Sequence, residues 1–196
     1  YMADLGSEVL VAANAVTRLV RLQQLALDPR LVGADVRGVK TDAVLEFILD
    51  HPAEQVLIFT TFRTYANLLA DELDRAGVQS VRVTGAQTPR ERQAAVEAYQ
   101  RGNVPVLIGT YGAMGEGLNL QATDIVVHMN LPWVPAMVEQ AEARALRRGR
   151  NAPVSVLSYV VEGTVDEAVE DVLLSKLELI DVVALYKAAL TVSEQG

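Results

Sequence analysis

An α/β protein in three layers, with helices covering both faces of a parallel sheet, is the fold the sequence predicts. Two observations carry this. Short apolar runs such as Val56-Leu57-Ile58-Phe59 and Ile125-Val126-Val127-His128 alternate with helical stretches of ten or so residues, the pattern of βαβ units whose strands are buried on both sides. Hydrophobic residues also make up 51% of the 196-residue chain, enough for one sizeable core with a helical appendage and too much for a disordered chain.

The elements follow in order. Residues 8–27 keep apolar positions at helical spacing up to Asp28-Pro29 and read as one helix. Pro29, Gly33 and Gly38 mark residues 28–40 as a linker. Then come a helix at about 41–51, the strand Val56 to Phe59, a helix over about 64–76, a strand at Val81 to Thr84 and a helix over about 89–101. The strand Val104 to Ile108 leads through a glycine-rich loop to the strand Ile125 to His128 and a helix over about 135–147. A last strand, Val154 to Val161, precedes helical sequence to about residue 190. Thr88-Pro89-Arg90-Glu91 and Thr164-Val165-Asp166-Glu167 both carry the T-x-x-E capping box. The domain reading is an N-terminal helix and linker at 1–39, the α/β lobe at 40–163 and C-terminal helices at 164–196.

Charge narrows the function. Acids outnumber bases 25 to 17, a net charge of −8, which argues against coating nucleic acid by bulk charge. The average hides an asymmetry: residues 151–196 carry eight acids and two bases, whereas four of the 14 arginines lie between Arg144 and Arg150. The absence of cysteine excludes a disulfide scaffold and thiolate metal sites. No uncharged apolar stretch reaches the length of a membrane span, and the start Tyr1-Met2-Ala3-Asp4 has no basic or apolar leader. The expectation is a cytoplasmic or nucleoid-associated protein without membrane contact, whose first residue reads like a boundary inside a longer chain.

In parallel sheets ligands sit at the carboxyl ends of strands, which directs attention to four segments. Thr60-Thr61-Phe62-Arg63 stands at a strand-to-helix turn, where threonines serve as a helix cap or leave amides free for a phosphate. Gly109 to Leu120 holds four glycines in nine positions, suited to tight turns or to close approach of amides to an anion. It is not a Walker A loop, because no G-K-[ST] occurs in the chain. In Gln140 to Arg150, positions 140, 144 and 147 fall on one helical face. Two guanidinium groups and an amide there suit either a polyanion or a solvated basic surface. His51 and His128 lack ligand-spaced partners and read as structural or surface residues; Trp133 reads as a packing anchor or a nucleic-acid contact.

The order of these segments resembles the Swi/Snf-type DNA translocases of helicase superfamily two. Val56 to Phe62 looks like motif IV (I-F-S-Q-F), and Thr84-Gly85 followed by a capped helix with Arg92 is similar to the G-x…R stretch. Gly115-Glu116-Gly117-Leu118-Asn119-Leu120 resembles motif V (G-x-G-x-N-L), and Gln140-Ala141 through Arg144, Arg147 and Gly149 resembles motif VI. Trp133 and Pro135 match the intervening W-N-P, and the Thr164 helix resembles the brace region. The sequence departs from the pattern with Asn130 for Asp, Val134 for Asn, Gly112 for a basic residue, and Arg148-Gly149-Arg150 for R-I-G-Q. The last drifts toward the ending of RNA and general helicases.

The resemblance implies the second RecA-like lobe of a two-lobe motor. ATP with Mg2+ would bind between it and a first lobe that carries the Walker motifs and most of the metal ligands. Arg144 and Arg147 would act as arginine fingers, with Gln140 ordering their helix face, and Gly115, Gly117 and Asn119 would line the nucleotide cleft. Thr60, Thr61, Arg63, Thr110, Ala113 and Trp133 would hold double-stranded DNA, largely through amides and hydroxyls. The alternatives are the second lobe of a strand-separating DNA or RNA helicase, and a degenerate lobe that only docks partners.

Overall fold

The computed structural model describes residues 17–114, 118, 120–145 and 153–176, together with the backbone of 2–5, 8–11, 15 and 16. Among these residues the chain forms strands β1 (Met2–Leu5) and β2 (Glu8–Val11), helix α1 (Ala15–Leu27), a 3-10 turn at Pro29–Val32 and helix α2 (Val39–Asp50). Then follow β3 (Val56–Thr60), α3 (Arg63–Arg75), β4 (Ser80–Val83), α4 (Pro89–Gln100), β5 (Val106–Thr110), β6 (Ile125–His128), α5 (Pro135–Ala145) and β7 (Ser155–Ser158). Residues 165–176 close the described chain as helix α6.

β4, β5, β3, β6 and β7 form one sheet in that order, parallel throughout. The central strands β3, β5 and β6 are apolar up to their carboxyl ends because alternate residues feed different layers. Val56, Ile58, Val106, Ile108, Ile125 and Val127 pack with Val44, Leu45 and Ile48 of α2 and Tyr65, Leu69 and Leu73 of α3. Leu57, Phe59, Leu107 and Val126 face the other way, against Val96 and Tyr99 of α4 and Ala141 and Ala145 of α5. Each such Val, Leu, Ile or Phe side chain contributes about 1.5–3 kcal/mol by leaving water. The Thr88 box is formed in full, the hydroxyl accepting from the Glu91 amide and the Glu91 carboxylate from the Thr88 amide. At the second box Thr164 Oγ1 accepts from the Asp166 amide, but Glu167 reaches back one residue further, to the Gly163 amide.

Two expectations for the N-terminal segment are corrected. The single helix over 8–27 is shorter: Glu8–Val11 pairs antiparallel with Met2–Leu5, and α1 begins at Ala15. Val9, Leu10 and Val11 suit a strand as well as a helix, and a short apolar run does not separate the two by spacing. The linker at 28–40 is a docked strap. Asp28, fully buried, accepts from the Arg30 amide through Oδ1 and from the Gly38 amide and Thr41 hydroxyl through Oδ2, at 3.0, 3.0 and 2.7 Å. Arg30 then reaches Glu72 of α3 at 2.6 Å. Only glycine fits at position 38, where a Cβ would lie 2.8 Å from the Asp28 Cα. The strap continues into Lys40, whose buried ammonium pairs with Asp166 of α6 at 2.5 Å and donates to the Met129 carbonyl at 3.0 Å.

Candidate nucleic-acid and nucleotide-facing site

The carboxyl ends of β3, β5 and β6 converge, and Asn130 lies at the centre. Its Oδ1 accepts from the Thr60 hydroxyl at 2.9 Å and the Thr61 amide at 3.1 Å, and its Nδ2 donates to Thr61 Oγ1 at 2.6 Å. A side-chain amide suits this position because it offers acceptor and donor together.

Thr60 does not present its hydroxyl at the surface. It is fully buried and its Oγ1 is held between Asn130 and the Phe62 amide, because a hydroxyl inside the sheet must find internal partners. Nor does the threonine pair cap the following helix: Phe62 is the N-cap of α3 and no side chain caps it. Thr61 and Thr110 are half-buried at the strand ends, and Arg63 is exposed on the first turn of α3. Ala113, half-buried, lies in the turn after β5, where its amide donates to the Thr110 carbonyl.

On α5, Ala141 and Ala145 face the core while Gln140 is exposed and Arg144 half-exposed one turn on. The Arg144 carbonyl accepts from the Leu120 amide at 3.2 Å, so the end of the glycine-rich loop is tied to this helix. Gly115, Gly117, Asn119 and Arg147 lie outside the described residues. Trp133 is half-buried: its indole N–H donates to Gln23 of α1, and its carbonyl accepts from Lys176 of α6.

Sequence reasoning missed one cluster. His128, which ends β6 and is buried, holds Tyr111 on one ring nitrogen and Glu142 of α5 on the other, at 2.7 and 3.1 Å. Tyr111 also donates to the Asn130 carbonyl at 3.1 Å, and Phe59, Tyr111 and His128 stack as three near-parallel rings. Burial, with the Glu142 charge adding to it, pushes the Tyr111 phenol well above its ordinary range, so it remains a proton donor. A histidine at the carboxyl end of a buried strand was the available signal. Its partners lie 17 residues before it and 14 after it, beyond any local spacing rule.

A five-stranded parallel sheet between helical layers, with polar groups gathered at its strand ends, defines a RecA-like α/β lobe. The family model for the helicase conserved C-terminal domain matches residues 39–149, and the chain belongs to that family. It is similar to YwqA of Bacillus subtilis, at 35% identity over 86% of this chain and 19% of that protein. It is also similar to the DNA repair protein RAD5 of Cryptococcus neoformans, at 31% identity over 67% of this chain and 11% of that protein. A SWI/SNF-related matrix-associated actin-dependent regulator of chromatin subfamily A-like protein 1 from Drosophila melanogaster is 28% identical over 76% of this chain and 20% of its own length. Among solved structures, the C-terminal part of the Fun30 ATPase domain superposes with a TM-score of 0.64 at 25% identity, covering 69% of this chain and 45% of that one. The chain thus spans a fifth or less of these curated relatives. These relatives are named as a putative ATP-dependent helicase/translocase, a DNA repair protein and a SWI/SNF-related regulator of chromatin.

Proposed function

We propose that this chain is the second motor lobe of an ATP-driven translocase on double-stranded DNA. ATP would bind between it and a first lobe of the same polypeptide, which would hold most of the Mg2+ ligands. Arg144 and Arg147 would place guanidinium charge on the transferring phosphoryl group, and Gln140 would order the same face. Gly115, Gly117 and Asn119 would line the cleft beside them. Thr61, Arg63, Thr110 and Ala113 would hold the DNA backbone, chiefly through amides and hydroxyls, which suits a lobe of net charge −8.

The observation that carries this reading is α5 itself. Its small residues, Ala141 and Ala145, seat it on the sheet and leave Gln140 exposed and Arg144 half-exposed, one turn apart. In the whole protein, Arg144→Ala and Arg147→Ala should each abolish ATP turnover while leaving DNA affinity largely intact. Variants that hydrolyse ATP at the parental kcat would overturn the assignment. Residues 1–196 alone should hydrolyse ATP negligibly, because half of the phosphate machinery belongs to the other lobe.

Arg148-Gly149-Arg150 favours a second reading, the corresponding lobe of a strand-separating helicase. Duplex unwinding without displacement of a triplex-forming strand would select it over the translocase.

A further inference from the structure

We propose that His128 is a positioning residue that couples the strand-end clamp at Thr61 and Asn130 to the helix bearing Gln140 and Arg144. The geometry is one continuous path, from Thr61 to the Asn130 side chain, from the Asn130 carbonyl to Tyr111, from Tyr111 to His128, and from His128 to Glu142 on α5. This rests on the motor reading above, in which one end of the path faces DNA and the other faces nucleotide.

The path has two states because its protons do not match its hydrogen bonds. Tyr111 to His128 Nδ1, Tyr111 to the Asn130 carbonyl, and His128 Nε2 to Glu142 make three bonds. A phenol, a neutral imidazole and an ionised carboxylate bring only two protons to them. If Nε2 carries the imidazole proton and donates to Glu142, Nδ1 must accept, and it takes the Tyr111 proton away from the Asn130 carbonyl. If Tyr111 keeps its bond to Asn130, Nδ1–H must donate to the phenol oxygen, and a bare Nε2 then faces a carboxylate. The hold on Asn130 and the hold on α5 therefore compete. One added proton, giving an imidazolium, satisfies all three bonds. Among the described residues, the titratable groups against the ring are Tyr111 from the turn after β5 and Glu142 from α5; β3 contributes the Phe59 ring, and Ser158 of β7 lies beside His128 in the sheet.

A ligand that pulls on Thr61 moves Asn130, shifts the choice made by Tyr111, and so tightens or loosens the tether on Glu142. Coupling of this kind requires a two-state element biased from both ends, and the shared proton supplies it.

The test uses the whole protein and compares ATPase kcat without DNA and with saturating duplex DNA, alongside DNA affinity by filter binding. Tyr111→Phe, which removes the switching proton, should leave DNA-free kcat and DNA affinity within about twofold while cutting stimulation by DNA at least about fivefold, the low end of ordinary allosteric couplings. Glu142→Ala should do the same. Glu142→Gln, whose carbonyl oxygen still accepts from Nε2–H, should retain most of the stimulation. Undiminished stimulation in both Tyr111→Phe and Glu142→Ala would overturn the relay and leave the motor reading standing. An equal loss of DNA-free and DNA-stimulated turnover would also overturn it, because that reports a purely structural role. A parent protein with no DNA-stimulated turnover would remove the motor reading and the relay together.

Discussion

Asn130 grips Thr61 twice. Its Nδ2 donates to Thr61 Oγ1 at 2.6 Å, and its Oδ1 accepts from the Thr61 amide at 3.1 Å. The turn between β3 and α3 is therefore shaped from the segment after β6, and its threonine is oriented before any ligand arrives.

Asn130→Ala should destabilise the lobe by about 2–4 kcal/mol, since it strands the Thr60 hydroxyl and the Thr61 amide at a buried site. Asn130→Asp should cost less. Its carboxylate can still accept from the Thr60 hydroxyl, the Thr61 amide and the Thr61 hydroxyl. Urea denaturation of the two variants against the parent checks the order.

Lys40 and Asp166 are both nearly inaccessible to solvent. Burial depresses the Lys40 ammonium below its ordinary range, and the Asp166 carboxylate opposes that shift. Asp166→Ala leaves a buried charge without its counter-ion and should destabilise by about 3–5 kcal/mol. Combining it with Lys40→Met should recover part of that loss. A double-mutant cycle from denaturation midpoints measures the recovery, and additive losses would mean that the pair is not coupled.

The Asp28–Arg30–Glu72 cluster predicts acid sensitivity of the strap. Burial alone would raise the Asp28 carboxyl, but Arg30, Thr41 and the amides of Gly38 and Arg30 together hold it below its ordinary 3.8. Glu72 is held below 4.5, chiefly by its hydrogen bond from Arg30. Both groups bind protons more readily unfolded than folded. Their contribution is thus complete above those ordinary values and is lost as pH falls through the lower folded ones. Arg30→Met should flatten the fall in stability between about pH 5 and pH 3, read from urea midpoints at successive pH values.

Gly109 sits inside β5, paired with Phe59 on one side and Val83 on the other. A Cβ there would lie 2.4 Å from Cγ of Met114, a buried side chain. Gly109→Ala should cost about 1–3 kcal/mol through overpacking. Adding Met114→Ala should relieve the overlap, so the double variant should melt above the sum expected from the two singles.

Much of this protein is determined by its sequence alone, because the relevant physics is local. Strand–helix alternation defines the parallel sheet, the Thr88 box starts α4 where T-x-x-E places it, and β6 falls on Ile125–His128 as the apolar run predicts. Helical periodicity likewise puts Gln140 and Arg144 on one face. Tertiary structure decided what depends on partners distant in the chain. Thr60 and Thr61 are adjacent, yet one is buried and the other half-buried, and both take their partner from Asn130, 69 residues beyond Thr61. The linker became a strap because Asp28 found Gly38 and Thr41, and Arg30 found Glu72. His128 acquired its connections only when the turn after β5 and helix α5 closed on it. Hydrogen bonds between buried groups are enforced by exclusion of water, and which groups lose their water is a property of the packed chain.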